Sequence, residues 1–136
     1  MTSEEYKREL EAFAENDLEH NIPAESQERF GFVCVLEGNY IGSSSGLASK
    51  NSYGYNNYFY LSDLLVEKEY RKKGIGTNLL NLLETELRKK GIKYIWTWTT
   101  EYEGKEFYIN RGYFQFCEFK EFYFTGHSKI GFIKNL

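Results

Sequence analysis

The sequence predicts an α/β domain: a central mixed, mostly antiparallel sheet, one parallel βαβ unit, and helices on both faces. Three observations lead there. A leucine-periodic helix over residues 74–90 is flanked by two β-type runs, residues 58–66 and 93–99, which is the pattern of a βαβ crossover. Two further β-type runs precede this unit and two follow it. At 136 residues, with 41% hydrophobic and 27% charged residues and neither internal repeat nor linker, the chain reads as one domain, 1–136.

The elements follow in order. Thr2 and Glu5 fit a capping box, and Tyr6, Leu10 and Phe13 then repeat at helical spacing on an acidic background. That helix ends before Asn21-Ile22-Pro23, and polar residues continue to Arg29. Phe30 to Leu36 is a β-type run, and Tyr40 opens another that extends to about Ala48, with Gly38-Asn39 as the hairpin turn signal. Ser49 to Asn57 reads as a polar loop, and Tyr58 to Val66 as a long strand. In the helix over 74–90, Ile75, Leu79, Leu83 and Leu87 recur every fourth residue, with Arg88, Lys89 and Lys90 in the last turn and Gly91 as the stop. Lys93 to Thr99 alternates, with Tyr94, Trp96 and Trp98 on one face and Ile95, Thr97 and Thr99 on the other. A short helix follows over about Glu103–Arg111, and Tyr113 to Lys120 and Lys129 to Lys134 read as the last strands.

Composition excludes some function classes. A net charge of −3 argues against a general nucleic-acid binder. No segment approaches 18 consecutive apolar residues, and Met-Thr-Ser-Glu-Glu lacks a signal-peptide pattern, so a cytoplasmic protein without a membrane partner is expected. Cys34 and Cys117 have no paired spacing and read as buried thiols; His20 and His127 make no metal case, so no metal is expected. Aromatic residues are abundant, 12 Tyr, 11 Phe and 2 Trp, which suits an aromatic sheet core; an aromatic C-terminal sheet edge makes a homodimer an expectation. Tyr53 and Tyr55, in the polar loop, are candidate pocket residues or exposed loop tyrosines.

Charge is uneven. Residues 1–30 carry nine acids against three bases, whereas residues 67–93 carry eight bases against four acids. The basic segment surrounds Arg71-Lys72-Lys73-Gly74-Ile75-Gly76, between a strand end and a helix start. The first turn of a helix leaves amide N–H groups without partners, and the dipole adds positive charge there. Gly74 and Gly76 lack the Cβ that would hold a phosphate away from those amides, while Arg71, Lys72 and Lys73 supply attraction and further donors. Two familiar phosphate loops are excluded. No Lys-Ser/Thr follows Gly76 as a Walker loop requires, and Leu79 occupies the position of the third glycine of the dinucleotide fingerprint.

The wider pattern is more specific. Leu64-Leu65-Val66 is followed after a five-residue step by Arg-x-x-Gly-x-Gly and a leucine-rich helix. Downstream stands Glu106-Phe107-Tyr108-Ile109-Asn110-Arg111-Gly112-Tyr113. Together these resemble the acetyl-CoA signature and the Phe-Tyr-x-x-x-Gly-Phe/Tyr segment of the GCN5-related N-acetyltransferase (GNAT) superfamily, across about residues 58–120. The resemblance implies a GNAT-like acyl-CoA N-acyltransferase fold. In it the strand ending at Val66 splays from the next parallel strand, and the pantetheine arm pairs with main chain at Leu64, Leu65 and Val66. Arg71, Lys72, Lys73, Gly74, Ile75 and Gly76 would wrap the pyrophosphate, with the Thr77 hydroxyl beside them. Tyr108 matches the family's usual general acid, a phenol able to donate to a departing thiolate. Where many relatives carry an Asn that helps hold the cofactor, this chain has Thr100-Glu101-Tyr102-Glu103-Gly104.

Amine attack also requires a proton acceptor. An ordered water chain could serve; among side chains Asp63, a carboxylate in the apolar run Leu61-Ser62-Asp63-Leu64-Leu65, is the candidate base, against a structural Asp or a cation-binding substrate contact. The implied function is transfer of acetyl from acetyl-CoA to a primary amine, with a small molecule as acceptor and no covalent enzyme intermediate. The alternative is a non-catalytic acyl-CoA-binding sensor or interaction module on the same scaffold.

Overall fold

The computed structural model describes residues 1–136. Three helices and six strands run in the order α1 (Ser3–Glu19), β1 (Ser26–Leu36), β2 (Asn39–Asn51), β3 (Gly54–Val66), α2 (Ile75–Lys89), β4 (Tyr94–Thr100), α3 (Lys105–Asn110), β5 (Phe114–Phe119) and β6 (Lys129–Asn135). The strands form one sheet in the order β1-β2-β3-β4-β6-β5. Every neighbouring pair is antiparallel except β3–β4, which α2 joins as the βαβ unit. This is the mixed α/β architecture that the pattern of elements requires.

The core lies between α2 and one face of the sheet. Leu80, Leu83 and Leu87 recur along one side of α2 and are fully buried against Phe59, Leu61, Ile95 and Phe132. Each such side chain contributes roughly 2 kcal/mol by leaving water. Glu84 shares this face with 2% exposure, so its charge needs partners. It accepts hydrogen bonds from Tyr113 Oη at 2.9 Å and Lys134 Nζ at 2.6 Å, which fasten α2 to β6 and to the start of β5.

The opposite face is built from the alternate residues. Tyr58 stacks on Tyr94 and Tyr60 on Trp96, and the series continues through Trp98 to Phe119. α1, the one helix left for that face, does not lie on it within the chain: none of its residues is buried. No helix is long and apolar enough to cross a membrane.

Three boundaries differ from the sequence reading. β1 begins at Ser26 rather than Phe30, because Ser26 to Arg29 pair with Leu47 to Lys50 through main chain alone. Residues 49–57 form a hairpin rather than a loop: β2 runs to Asn51, β3 starts at Gly54, and Asn51 pairs with Gly54. Tyr55 lies in this hairpin and donates its hydroxyl to Glu28 at 2.8 Å, while Tyr53 at its tip is 91% exposed. The first hairpin turns at Glu37-Gly38, both at positive φ, with Asn39 already paired to Leu36.

Candidate active site

Parallel pairing between β3 and β4 covers only Tyr58 to Tyr60 against Tyr94 to Trp96. Beyond it the strands part, held by one hydrogen bond from Thr97 Oγ1 to the Leu61 carbonyl at 2.8 Å. Leu64, Leu65 and Val66 remain paired to β2 on their other side. Their side facing β4 therefore has no sheet partner. Into this gap opens a cavity of about 570 Å³ lined by Leu64, Leu65, Val66, Arg71, Gly76, Thr99, Glu103, Gly104, Phe107 and Tyr108.

A second cavity of about 330 Å³ continues from it, sharing Val66, Arg71, Gly76 and Phe107 and adding Lys72, Gly74, Ile75, Thr77 and Arg111. Its shape follows from the turn into α2. Lys72 and Gly74 both adopt left-handed φ, +62° and +81°, so the chain doubles back within three residues. No atom stands within 4 Å of a Cβ built on Gly74, so that glycine is required by its backbone conformation and not by crowding. Arg71 Nε donates to the Val66 carbonyl at 2.9 Å and pins the turn to the strand end.

The start of α2 has no side-chain cap and no acid in its first turn. The amides of Ile75, Gly76 and Thr77 precede the first intrahelical bond, Asn78 N–H to the Gly74 carbonyl at 3.0 Å, and so lack helical partners. Around them stand Arg71, Lys72 and Arg111, none of which forms a salt bridge with a protein carboxylate. The result is a concave surface with free N–H donors, a helix dipole and unneutralised cations, suited to a polyanion.

α3 supplies the other wall. Tyr108 belongs to the core, stacked on Phe132, yet it also lines the larger cavity. Burial pushes its phenol up to about 12, offset in part by the neighbouring Thr97 hydroxyl. The group is therefore held protonated, as a donor. One turn on, Arg111 Nε donates to Thr77 Oγ1 at 2.9 Å and Nη1 to the Phe107 carbonyl at 2.9 Å, with the guanidinium 3.8 Å above the Phe107 ring. Thr77, now an acceptor, keeps its own hydroxyl proton to donate.

Nine of the residues expected around a cofactor thus line the two connected cavities: Leu64, Leu65, Val66, Arg71, Lys72, Gly74, Ile75, Gly76 and Thr77. Lys73 does not; its ammonium lies 5.5 Å from the Tyr70 ring. Asp63 is not brought to Tyr108's cavity either. Its side chain is 61% exposed, 3.3 Å from Arg29 Nη1, and accepts from Ser62 Oγ at 2.6 Å, so its place in an apolar run is explained by a surface ion pair.

Sequence reasoning missed Glu103 and Arg111 as site residues. Arg111's signal was its spacing, four residues after Phe107 on a helix, which places the guanidinium over the ring. Thr100 is a further surprise: its Oγ1 is buried without a hydrogen-bond partner at the end of β4. His127 is a turn residue, with Nδ1 2.7 Å from Thr125 Oγ1. No group of His, Cys, Asp or Glu is arranged to hold a metal ion.

The model of the Acetyltransferase (GNAT) family matches residues 2–113. No curated protein sequence matches the chain. Among solved structures, an acetyltransferase from Bacillus cereus superposes with a TM-score of 0.81 at 23% identity, covering 100% of this chain and 94% of its own. An aminoglycoside 6'-N-acetyltransferase complexed with coenzyme A gives 0.67 at 22% identity, over 79% and 73% of the two chains. Arabidopsis thaliana Naa50, in complex with a bisubstrate analogue CoA-Ac-MVNAL, gives 0.66 at 20% identity, over 76% and 71%. At these identities the structural likeness speaks for the fold; the activities and ligands named are those of the neighbours.

Proposed function

The chain belongs to the GNAT acetyltransferase family, and from that premise we propose that it transfers the acetyl group of acetyl-CoA directly to a primary amine, with a small molecule as acceptor. The observation that carries this reading is the continuity of the two cavities. A strand edge with free main chain runs directly onto an uncapped, cation-ringed helix start, with a protonated tyrosine on the wall. A ligand with an amide-bearing arm and a pyrophosphate matches that sequence of surfaces. Neighbours of the same fold described with CoA support the cosubstrate; one, an aminoglycoside 6'-N-acetyltransferase, supports a small amine as acceptor, while another carries a CoA–peptide bisubstrate analogue.

When bound, acetyl-CoA supplies an activated thioester whose carbonyl carbon accepts the amine. The chain's residues do the rest. Main chain at Leu64–Val66 holds the amide-bearing arm by β-type pairing. The amides of Ile75, Gly76 and Thr77, with Arg71, Lys72 and Arg111, hold the pyrophosphate; Lys73 adds long-range attraction from outside the cavity. Tyr108 donates its phenolic hydrogen towards the sulfur as the carbon–sulfur bond breaks, so the thiolate does not depart unpartnered. The amine must shed a proton for its lone pair to attack. Glu103, on the wall of Tyr108's cavity, takes that role in this reading. Asp63 is the rival base, disfavoured by its pairing to Arg29.

The test is thiol release from acetyl-CoA across a panel of polyamines, amino sugars, aminoglycosides and peptide N-termini. Turnover with small amines, lost in Tyr108→Phe while CoA still binds, is the expected result. Binding of acetyl-CoA with no thiol release for any amine would replace the enzyme with a sensor module. Loss of the acidic limb of the rate profile in Glu103→Gln, but not in Asp63→Asn, identifies the base.

A further inference from the structure

Two apolar surfaces of this chain are left without cover, and each fits the other. α1 spans Ser3–Glu19 with no buried residue, and every residue in it except Asp17 is exposed. Its apolar stripe, Tyr6, Leu10 and Phe13, is 53%, 52% and 62% exposed, and Leu18 is 74% exposed. With Ile22 and Pro23 the stripe walls an open groove of about 480 Å³. An amphipathic helix of this length is marginal alone in water and needs a surface to lie on. The second surface is the face of the sheet opposite α2, where a Tyr58–Tyr94 stack stands beside a series of rings in contact from Tyr60 on β3 to Phe122 beyond β5. Phe116, Phe119 and Phe122 on it are each about half exposed, at 49%, 50% and 51%.

We propose that α1 of one chain packs on the aromatic sheet face of a second copy, and reciprocally, forming a two-fold exchanged dimer. Charge selects the occupant. α1 carries seven acids, Glu4, Glu5, Glu9, Glu11, Glu15, Asp17 and Glu19, against Lys7 and Arg8. The receiving face presents Lys129, perched 5.1 Å from Trp98 and 4.7 Å from Phe122. Asp63 is already paired with Arg29. Area agrees. Four large α1 side chains, each offering on the order of 100 Å², bury about 400 Å² per side in one helix-on-sheet contact, and the reciprocal contact doubles this to about 800 Å² per chain, the size of a standard stable interface. A two-fold arrangement satisfies both surfaces with one kind of contact.

The test is sedimentation equilibrium at micromolar concentration on the full chain and on two variants. Leu10→Asp with Phe13→Asp breaks the stripe, and Phe119→Asp breaks the face; all three positions are at least half exposed, so a folded monomer should survive, as circular dichroism checks. The wild type is expected at the mass of two chains and each variant alone at the mass of one. Mixing the two variants leaves one of the two contacts intact, the face-broken chain's stripe on the stripe-broken chain's face, so association weaker than the wild type's is expected, and only at higher concentration. A monomeric wild type, or either variant that stays dimeric, overturns the proposal. A face variant that stays dimeric beside a monomeric stripe variant would instead indicate helix-on-helix pairing.

Discussion

Replacing Gly76 by Ala separates the needs of the fold from the needs of the ligand. A Cβ at Gly76 would meet Val66 Cγ2 at 3.6 Å and carbons of the Phe107 ring at 3.8 and 3.9 Å, all ordinary contacts. Gly76 is also not among the glycines at positive φ. The protein itself therefore accepts the methyl group. Alanine in place of a helical glycine adds up to about 1 kcal/mol of stability, which raises the melting temperature by about 3 °C in a chain of this size. The ligand does not accept it. Val66 and Phe107 line both cavities, so the methyl group stands where they join, beside the Gly76 amide. Overpacking such a contact costs about 1–3 kcal/mol, a loss of about 5- to 150-fold in affinity. Thermal unfolding and calorimetric titration with CoA read the two effects separately. A melting temperature that rises while CoA affinity stays within about twofold of the wild type would show that no ligand phosphate approaches the start of α2.

Other outcomes follow from the same geometry. Tyr108→Phe keeps the ring packing on Phe132 and should lower kcat by about 100-fold or more with little change in CoA affinity, measured by steady-state kinetics and titration. Alkaline stability should also respond. The folded phenol is raised to about 12 against an ordinary value near 10, so the folded state holds the proton more tightly; its contribution is full below pH 10 and is lost as pH rises through 12. That loss is about 2–3 kcal/mol, and Tyr108→Phe should flatten this part of the melting-temperature fall. Tyr113, raised in the same direction by burial and by Glu84, keeps the remaining slope in the variant. Lys134→Met strips the nearest cation from buried Glu84 and should cost about 3 kcal/mol, lowering the melting temperature by about 10 °C. Arg111→Ala should weaken CoA binding about tenfold, more at low than at high salt, in titrations at two ionic strengths.

What was legible in the sequence is what periodicity and special backbone positions encode. The α2 leucines, the alternation in Lys93 to Thr99 and the glycines around Ile75 each constrain one element locally, and together they locate the βαβ unit and its phosphate turn. Ser26 to Arg29 and Ser49 to Asn57 were opaque because main-chain pairing holds them, and polar side chains at a sheet edge carry no pattern for it. Asp63 misled for a related reason. A β-bulge falls between Ser45 and Gly46 opposite Asp63 and Leu61, so the alternation that would have marked its side chain as outward is broken one residue before it. Arg111's spacing from Phe107 is legible, but its bond to Thr77 on α2 and the place of Glu103 on the cavity wall are tertiary facts that the sequence does not record.

The two long helices make the functional argument once more, in terms of stability. α1 begins with a complete capping box, Glu5 N–H to Thr2 Oγ1 at 3.1 Å and Thr2 N–H to Glu5 Oε2 at 2.6 Å. α2, which carries the core leucines, begins at a glycine with no cap. A missing cap costs about 1 kcal/mol, and a lysine held at left-handed φ costs about as much again. Stability is therefore withheld at the helix the fold most depends on, beside three free amides and unpaired cations. A ligand that supplies the missing acceptors returns it. CoA at 100 times its dissociation constant should stabilise the chain by about 2.7 kcal/mol, close to 10 °C in melting temperature. Inorganic sulfate at the same concentration, which offers acceptors but no arm for the Leu64–Val66 edge, should give only a fraction of that shift. Equal shifts from the two would mean that the strand gap contributes nothing to binding.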